Sequence, residues 1–177
     1  MNWENLFVQF ILSYISTVCF GVLLHIPLRA YNTAGIIGGG VWVIYWIMYY
    51  YQHTGLAISN LFAAILISLL SMVAARHLKM PMIVFNVPAL VPFVPGGQAY
   101  KLVRNFAIGN YQLATVYLYQ VIVIAGAITL GFGLGELLIR AVNYLHLSLV
   151  KTLKSKTSMS TPLWMEEIPA LKTASNL

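Results

Sequence analysis

Charged residues are scarce in this chain of 177 residues: they make up only 8% of it, while hydrophobic residues make up 60%. Soluble globular domains carry about 25% charged residues, so this composition excludes that class and indicates an integral membrane protein. The length predicts one compact bundle of helices and not two separate membrane domains.

The chain also lacks the residues of most enzyme sites. Aspartate is absent, and Cys19 is the only cysteine, which excludes an internal disulfide and a cysteine metal cluster. The four histidines do not have HExxH spacing, and neither a G-x-S-x-G elbow nor a Walker-type phosphate loop occurs. The sequence therefore predicts no enzyme, no metal site and no cofactor. Any transport would be driven by a gradient or by a partner subunit.

Long hydrophobic runs are what the chain does contain. A helix needs about 20 apolar residues to cross a bilayer, and four of the five runs are long enough, while the fourth in order is short. We predict an all-α membrane protein with about five transmembrane helices in residues 1–150, followed by a polar cytoplasmic tail of residues 151–177. The runs are residues 6–26, 34–51, 56–75, 80–94 and 114–139.

The fourth run is interrupted by proline and glycine. Proline removes a backbone donor and clashes with the preceding turn of a helix. Unpaired backbone at membrane depth is tolerated only where protein or a water-filled cavity satisfies it, and transporters build substrate sites from such interruptions. We predict a broken fourth helix that shapes a solute site, with a re-entrant segment as the alternative. The residues of the break are Pro88, Pro92, Pro95, Gly96 and Gly97.

Basic residues are distributed unequally around these runs. With five crossings and the N-terminus outside, eight of the ten lie on the inner side, and only Lys101 and Arg104 lie on the outer side. The positive-inside rule favours this model, a multi-pass protein of the inner or plasma membrane with a cytoplasmic C-terminus. Because the basic residues are spread thinly between hydrophobic runs, we predict no nucleic-acid partner.

Lys101 and Arg104 follow the break directly and share a helix face. A helix that restarts after the glycines offers free N–H groups and a positive dipole end, which hold carboxylates or phosphates. We predict that both cations bind a substrate carboxylate and that Tyr100 and Asn86 orient the solute. The alternative is an outer loop whose cations meet solvent and lipid headgroups.

Glu136 is the only acidic residue embedded near a predicted membrane helix, one helical turn before Arg140. An ionisable group in a span is a candidate for proton coupling, and a Glu–Arg pair that neutralises itself is the alternative. Stripes of small and polar residues on the first, third and fifth helices indicate close helix packing. Gln9, Asn60 and Ser68 in these stripes are candidates for a polar lining.

A proline-spaced pattern runs from Ala75-Arg76 to the sequence Val94-Pro95-Gly96-Gly97 and on to Tyr100, and it includes Lys79, Pro81, Phe85, Pro88 and Pro92. This pattern resembles the signature of the threonine/serine exporter family, specifically its short membrane-only subunit. The resemblance implies the small subunit of a two-component secondary exporter that works beside a larger membrane subunit. It also implies export of small carboxylate-bearing metabolites, threonine and serine in part of the family and dicarboxylates such as succinate in another.

A second function class stays open. The alternative is a substrate-capture or scaffold subunit that binds a solute for a separate energising module. In either case five helices are few to enclose both a cavity and its gates, and the small-residue stripes suit contacts with other helices. We therefore predict an oligomer, either of this chain or with the larger subunit.

Overall fold

The computed structural model describes the backbone of residues 3–158 and the side chains of residues 4–142 and 144. The chain divides into a unit of residues 1–139, which holds the helix bundle, and a unit of residues 140–177, of which 140–158 are helical. The end of the predicted tail, residues 159–177, lies outside the described residues. The helices are α1 Trp3–Leu23, α2 Leu28–Tyr50, α3 Leu56–Leu78, α4 Ile83–Leu90, α5 Gly96–Ala107 and α6 Tyr111–Ser158, with a 3-10 turn, Val91–Phe93, after α4.

Four of the helices are long and apolar enough to cross a membrane, namely α1, α2, α3 and the part Tyr111–Val142 of α6. A shorter apolar helix, Ile83–Phe93, joins α4 and the 3-10 turn. Its 11 residues rise about 16 Å, which is roughly half of a 30 Å hydrocarbon core. The structure confirms an all-α membrane protein with about five helices, the fourth of which is broken.

Glycines bring α1 and α2 into close contact. A Cβ added at Gly39 would lie 3.0 Å from the ring of Phe10, and one at Gly35 would lie 2.5 Å from the ring of Tyr14. Ser13 is buried in the same contact and donates its hydroxyl to a carbonyl of α2. Residue numbers fall along α2 as they rise along α1, from the pair Phe10 and Gly39 to the pair Tyr14 and Gly35, so the two helices are antiparallel. The polar stripe of α1 packs against α2.

A second close contact joins α3 and α6. A Cβ added at Gly131 would lie 2.6 Å from both the Cβ of Ala64 and the carbonyl oxygen of Leu61, and one at Gly135 would lie 2.6 Å from the Cβ of Ser68. Small residues allow helices to approach closely in lipid, where van der Waals packing drives their association. Residue numbers rise together along both helices, so α3 and α6 are parallel.

The short helix α4 packs against both α2 and α3. Its buried residues are Phe85, Pro88 and Ala89. Around them lies the main apolar cluster, which consists of Ile26, Ala30, Ala34, Ile37, Val41, Ala63, Ile67, Ala74, Ala75, Phe85, Ala89 and Phe93. The cluster fixes α4 inside the bundle and places the following turn against α2.

The segment 83–107 runs from one end of the bundle to the other. It begins just after the C-terminal end of α3 and leads to α6, which is parallel to α3 and begins beside the N-terminal end of α3. A segment that dipped in and returned would leave α6 antiparallel to α3. The fourth segment therefore traverses the height of the bundle as two helices with a break between them.

Candidate functional site

The break between α4 and α5 is produced by proline. Pro88 lies inside α4, and Pro92 lies in the 3-10 turn. Val94 is extended, with φ −63° and ψ 127°, because the ring of Pro95 disfavours the helical conformation of the residue before it. Pro95 then occupies the N-cap position of α5. The predicted break of the fourth helix is confirmed, and it lies at Val94 and Pro95, whereas α4 continues through Pro88.

The first turn of α5 offers backbone donors. The Ala99 N–H donates to the carbonyl of Pro95 at 2.9 Å, whereas the N–H groups of Gly97 and Gln98 have no acceptor among the described residues. The turn contains no acidic residue, and no side chain caps it. The positive end of the helix dipole is therefore available to an anion.

Gly96 and Gly97 leave this turn open. A Cβ added at either residue would meet nothing within 4 Å, and neither residue has a positive φ. The backbone conformation therefore does not require glycine at these positions. What the two glycines provide is space beside the free N–H groups.

A cavity of about 290 Å³ lies beside the break. This volume is near the lower end of the range for small-molecule sites. Four helices contribute to its wall, α2 most of all and also α1, α3 and the first turn of α5. The lining residues are Gln9, Trp42, Tyr45, Trp46, Tyr49, Tyr50, Leu56 and Gln98. None of these described residues carries a formal charge.

Aromatic rings join the cavity to the break. The ring of Trp42 lies 5.2 Å from Phe93 in the 3-10 turn and 5.2 Å from Tyr45, between centroids. The indole N–H of Trp42 donates to Gln9 Oε1 at 2.9 Å, and the side chain of Asn60 lies beside the Tyr45 hydroxyl. These contacts reach α1 and α3, so both rings face the interior of the bundle.

A second cavity, of about 480 Å³, adjoins the first and shares Tyr49 and Leu56 with it. It lies between the start of α3 and residues 116–123 of α6. Thr54, Gln120 and Tyr119 supply its other polar side chains. Together the two cavities extend from the break to the end of the bundle where α3 and α6 begin.

The predicted cations lie on α5. Lys101 and Arg104 are both exposed, as is Tyr100. The Lys101 ammonium lies 5.6 Å from the ring centroid of Tyr117, and Lys101 follows the cavity residue Gln98 by three positions, so the two are surface neighbours on the helix. Arg104 lies in the last turn of α5, farther from the free N–H groups.

Asn86 lies apart from these cations. It lines a shallow groove of about 270 Å³ beside Phe132, and its Oδ1 is buried without a hydrogen-bond partner in the described structure. Phe132 and Tyr117, which faces Lys101, are 15 residues apart on α6, or about 22 Å along its axis. The structure therefore does not bring Asn86 and Lys101 together.

Glu136 is exposed on α6. It follows Gln120 of the second cavity by 16 residues, which is about 24 Å along the helix. A proton-coupling role at Glu136 would therefore act at a distance from both cavities.

Sequence reasoning missed the aromatic wall of the cavity. Trp42, Tyr45, Trp46 and Tyr49 are spaced i, i+3, i+4 and i+7, which places them on one face of α2. That spacing is visible in the sequence, but a run of tyrosine and tryptophan at a helix end is also typical of a belt at the membrane surface. Trp42 contacts Gln9 of α1 and Tyr45 lies beside Asn60 of α3, which indicates a cavity wall and not a belt at the membrane surface.

Comparison with known proteins gives one match. The model of the family described as Threonine/Serine exporter, ThrE, matches residues 9–138, which include all the residues of both cavities. No curated protein and no solved structure matches the chain.

Proposed function

Because this chain belongs to the threonine/serine exporter family, we propose that it is the small subunit of a secondary exporter of small carboxylate-bearing metabolites, threonine and serine or dicarboxylates such as succinate. Family membership supports the role of a membrane exporter and points to a transporter rather than an enzyme. The substrates and the subunit arrangement are the proposed part.

The observation that carries the proposal is the broken fourth helix with a cavity beside its break. The prolines force the break, and the restart of the helix leaves the N–H groups of Gly97 and Gln98 without acceptors. A solute in the 290 Å³ cavity lies next to Gln98. Discontinuous helices in transporters use such half-helix N-termini to hold anionic groups of a substrate.

In this proposal the solute carboxylate accepts hydrogen bonds from the first turn of α5. Lys101, which neighbours Gln98 on the helix, and Arg104 one turn further add positive charge. Tyr100 and Asn86 stay proposed as residues that orient the solute along its path, and Glu136 stays proposed for proton coupling. Pro88, Pro92, Pro95, Gly96 and Gly97 shape the backbone at the site.

We propose a larger membrane subunit of the same family as partner. Apolar side chains are exposed along α1, as at Phe7, Leu12 and Ile15, and they face either lipid or further helices. Purification in mild detergent should yield a homo-oligomer or a complex with that subunit. A stable monomer that catalyses export in liposomes contradicts this part of the proposal.

Efflux of labelled threonine, serine and succinate tests the function. Cells are loaded with each solute and compared with and without this gene and the gene of the larger subunit. We expect faster efflux of at least one solute only when both genes are present. If the chain binds the solute but efflux needs an additional energising module, the substrate-capture alternative is correct. Unchanged efflux of all three solutes, together with no binding of any of them, contradicts both.

A further inference from the structure

The aromatic face of α2 suggests which part of a solute the cavity recognises. Five of the eight described lining residues are tyrosine or tryptophan, and their rings follow one another along the helix. Ring centroids lie 6.0 Å apart for Tyr45 and Tyr49 and 5.0 Å apart for Tyr49 and Tyr50. The cavity is therefore lined largely by π-systems.

The faces of aromatic rings favour a cation. The face of an aromatic ring is the negative part of its quadrupole and attracts a cation within about 6 Å of the centroid, most strongly when the site is desolvated. The ring face does not stabilise an anion, which would depend on the hydroxyl and amide donors of the lining. The polar atoms that remain, such as Gln9 Oε1 and the tyrosine hydroxyls, are also able to accept hydrogen bonds from an ammonium group.

These rings are not simply a lipid-facing belt. Trp42 donates a hydrogen bond to Gln9 of α1, and the Tyr45 hydroxyl lies beside Asn60 of α3. Trp46 and Tyr49 are partly buried and line the cavity, and Tyr49 also lines the second one. A belt of aromatic side chains at the membrane surface would turn its rings toward lipid and headgroups.

We propose that the aromatic face formed by Trp42, Tyr45, Trp46 and Tyr49 binds the ammonium group of the transported solute through cation–π contacts. The inference rests on the proposed function and narrows its substrate class. The transported solutes are small amines, including amino acids in zwitterionic form, and dicarboxylates without an amine are poor ligands. The ammonium end lies against α2 and the carboxylate end against the first turn of α5.

Fragments of threonine test this assignment on the purified full-length protein. Each probe competes with labelled threonine. The probe 1-aminopropan-2-ol keeps the ammonium and hydroxyl groups, whereas 3-hydroxybutyrate keeps the hydroxyl and carboxylate groups. We expect the amine to compete at least roughly tenfold better than 3-hydroxybutyrate or succinate. Equal or better competition by the two acids overturns the inference.

Substitutions in the aromatic face test whether these residues bind the ammonium group. Tyr49→Leu should weaken binding of threonine and of the amine by roughly threefold to thirtyfold, and Tyr49→Phe, which keeps the ring, should restore most of it. Trp46→Leu is a second variant with the same expected direction. Tyr111→Leu is the matched control, because Tyr111 is exposed and contacts Phe106. If the Tyr49 and Trp46 variants fold and bind both ligands as the parent does, the inference is wrong.

The failure of the inference and the failure of the proposed function are distinguishable. Efflux of threonine without preference for the amine overturns the inference and leaves the exporter function in place. Preferential binding of the amine without efflux of any solute overturns the exporter function alone. Absence of binding by every probe overturns the ammonium site.

Discussion

Gly38 and Gly40 are two residues apart in α2 but have opposite surroundings. A Cβ added at Gly38 would clash with the hydroxyl of Thr17, which is fully buried in α1, whereas one at Gly40 would meet nothing within 4 Å. We expect Gly38→Ala to lower the free energy of unfolding by about 1–3 kcal/mol, because overpacking forces α1 and α2 apart.

Gly40→Ala is the matched control for that change. It replaces the same residue type in the same helix without a clash, and alanine is favoured over glycine in a helix by about 0.5–1 kcal/mol. Thermal unfolding in detergent compares the two variants. If the two variants melt at the same temperature, the contact between α1 and α2 accommodates a methyl group at Gly38.

Lys101 and Arg104 carry a prediction that stays at the scale of single residues. If they hold the solute carboxylate, Lys101→Gln and Arg104→Gln should each weaken the apparent affinity of export roughly tenfold to a hundredfold, as expected for loss of a charge-assisted hydrogen bond. We expect a larger effect at Lys101, because it neighbours Gln98 of the cavity and Arg104 lies in the last turn.

Arg29→Gln is the control for these two variants. Arg29 is also exposed, but it lies at the start of α2, the opposite end of that helix from the cavity residues Tyr49 and Tyr50. Efflux kinetics over a range of solute concentrations measure all three. If both α5 variants export like the parent, these cations do not bind the carboxylate, and the polar faces at Gln9 and Asn60 become the better candidates.

At the scale of elements, the broken segment was the most predictable part of the fold. A proline acts on its own backbone and on the residue before it, so the break at Val94 and Pro95 follows from local sequence alone. The cavity does not, because its wall combines residues of α1, α2, α3 and α5 that only the packing of the helices brings together. The packing partners of the glycines could likewise not be predicted from the sequence. Their spacing predicted close packing, but not that Gly131 and Gly135 would meet α3.

Pro95 provides a test of the break as an element. Pro95→Ala removes the ring that keeps Val94 extended, so the 3-10 turn and α5 are free to join into one helix. A continuous helix would use the N–H groups of Gly97 and Gln98 internally. We expect the efflux rate to fall at least roughly tenfold, since these donors are then lost to the solute.

Pro27→Ala is the matched control for Pro95→Ala, because Pro27 is the N-cap of α2 and lies outside the break. The conformational change has its own readout, the reactivity of Gln98→Cys toward a maleimide in a Cys19→Ser background. We expect Pro95→Ala to slow this labelling. Slower labelling with parental efflux would show that transport does not need the break. Parental labelling would show that Pro95 alone does not maintain the break.

At the scale of the whole molecule, the connections between helices lie at two opposite ends of the bundle. The antiparallel pair α1 and α2 and the parallel pair α3 and α6 place residues 51–55 and 108–110 at one end and residues 24–27 and 79–82 at the other. The sequence predicts the first end to be outside, because the second end carries more basic residues.

Single cysteines in the Cys19→Ser background test this orientation. We expect an impermeant maleimide to label Gln52→Cys and Asn110→Cys in intact cells, and to label Leu24→Cys and His77→Cys only after the membrane is opened. All four residues are exposed and lie at or near helix ends, so we expect the side of the membrane to decide their access. The reverse pattern would place the N-terminus inside, and labelling of one member of each pair would contradict the five crossings.

The uncharged wall of the cavity beside the break has an electrical consequence. The described lining residues carry no charge, so if no coupling ion moves, the charge that crosses the membrane in a transport cycle is that of the cargo. A zwitterion crosses without net charge. A dianion that leaves the cell gains about 2.3 kcal/mol per charge for every 100 mV of inside-negative potential. Without a coupling ion, collapse of the membrane potential should therefore slow any export of succinate and leave export of threonine unchanged. Slower export of threonine would instead indicate a coupled ion, as proposed for a proton at Glu136.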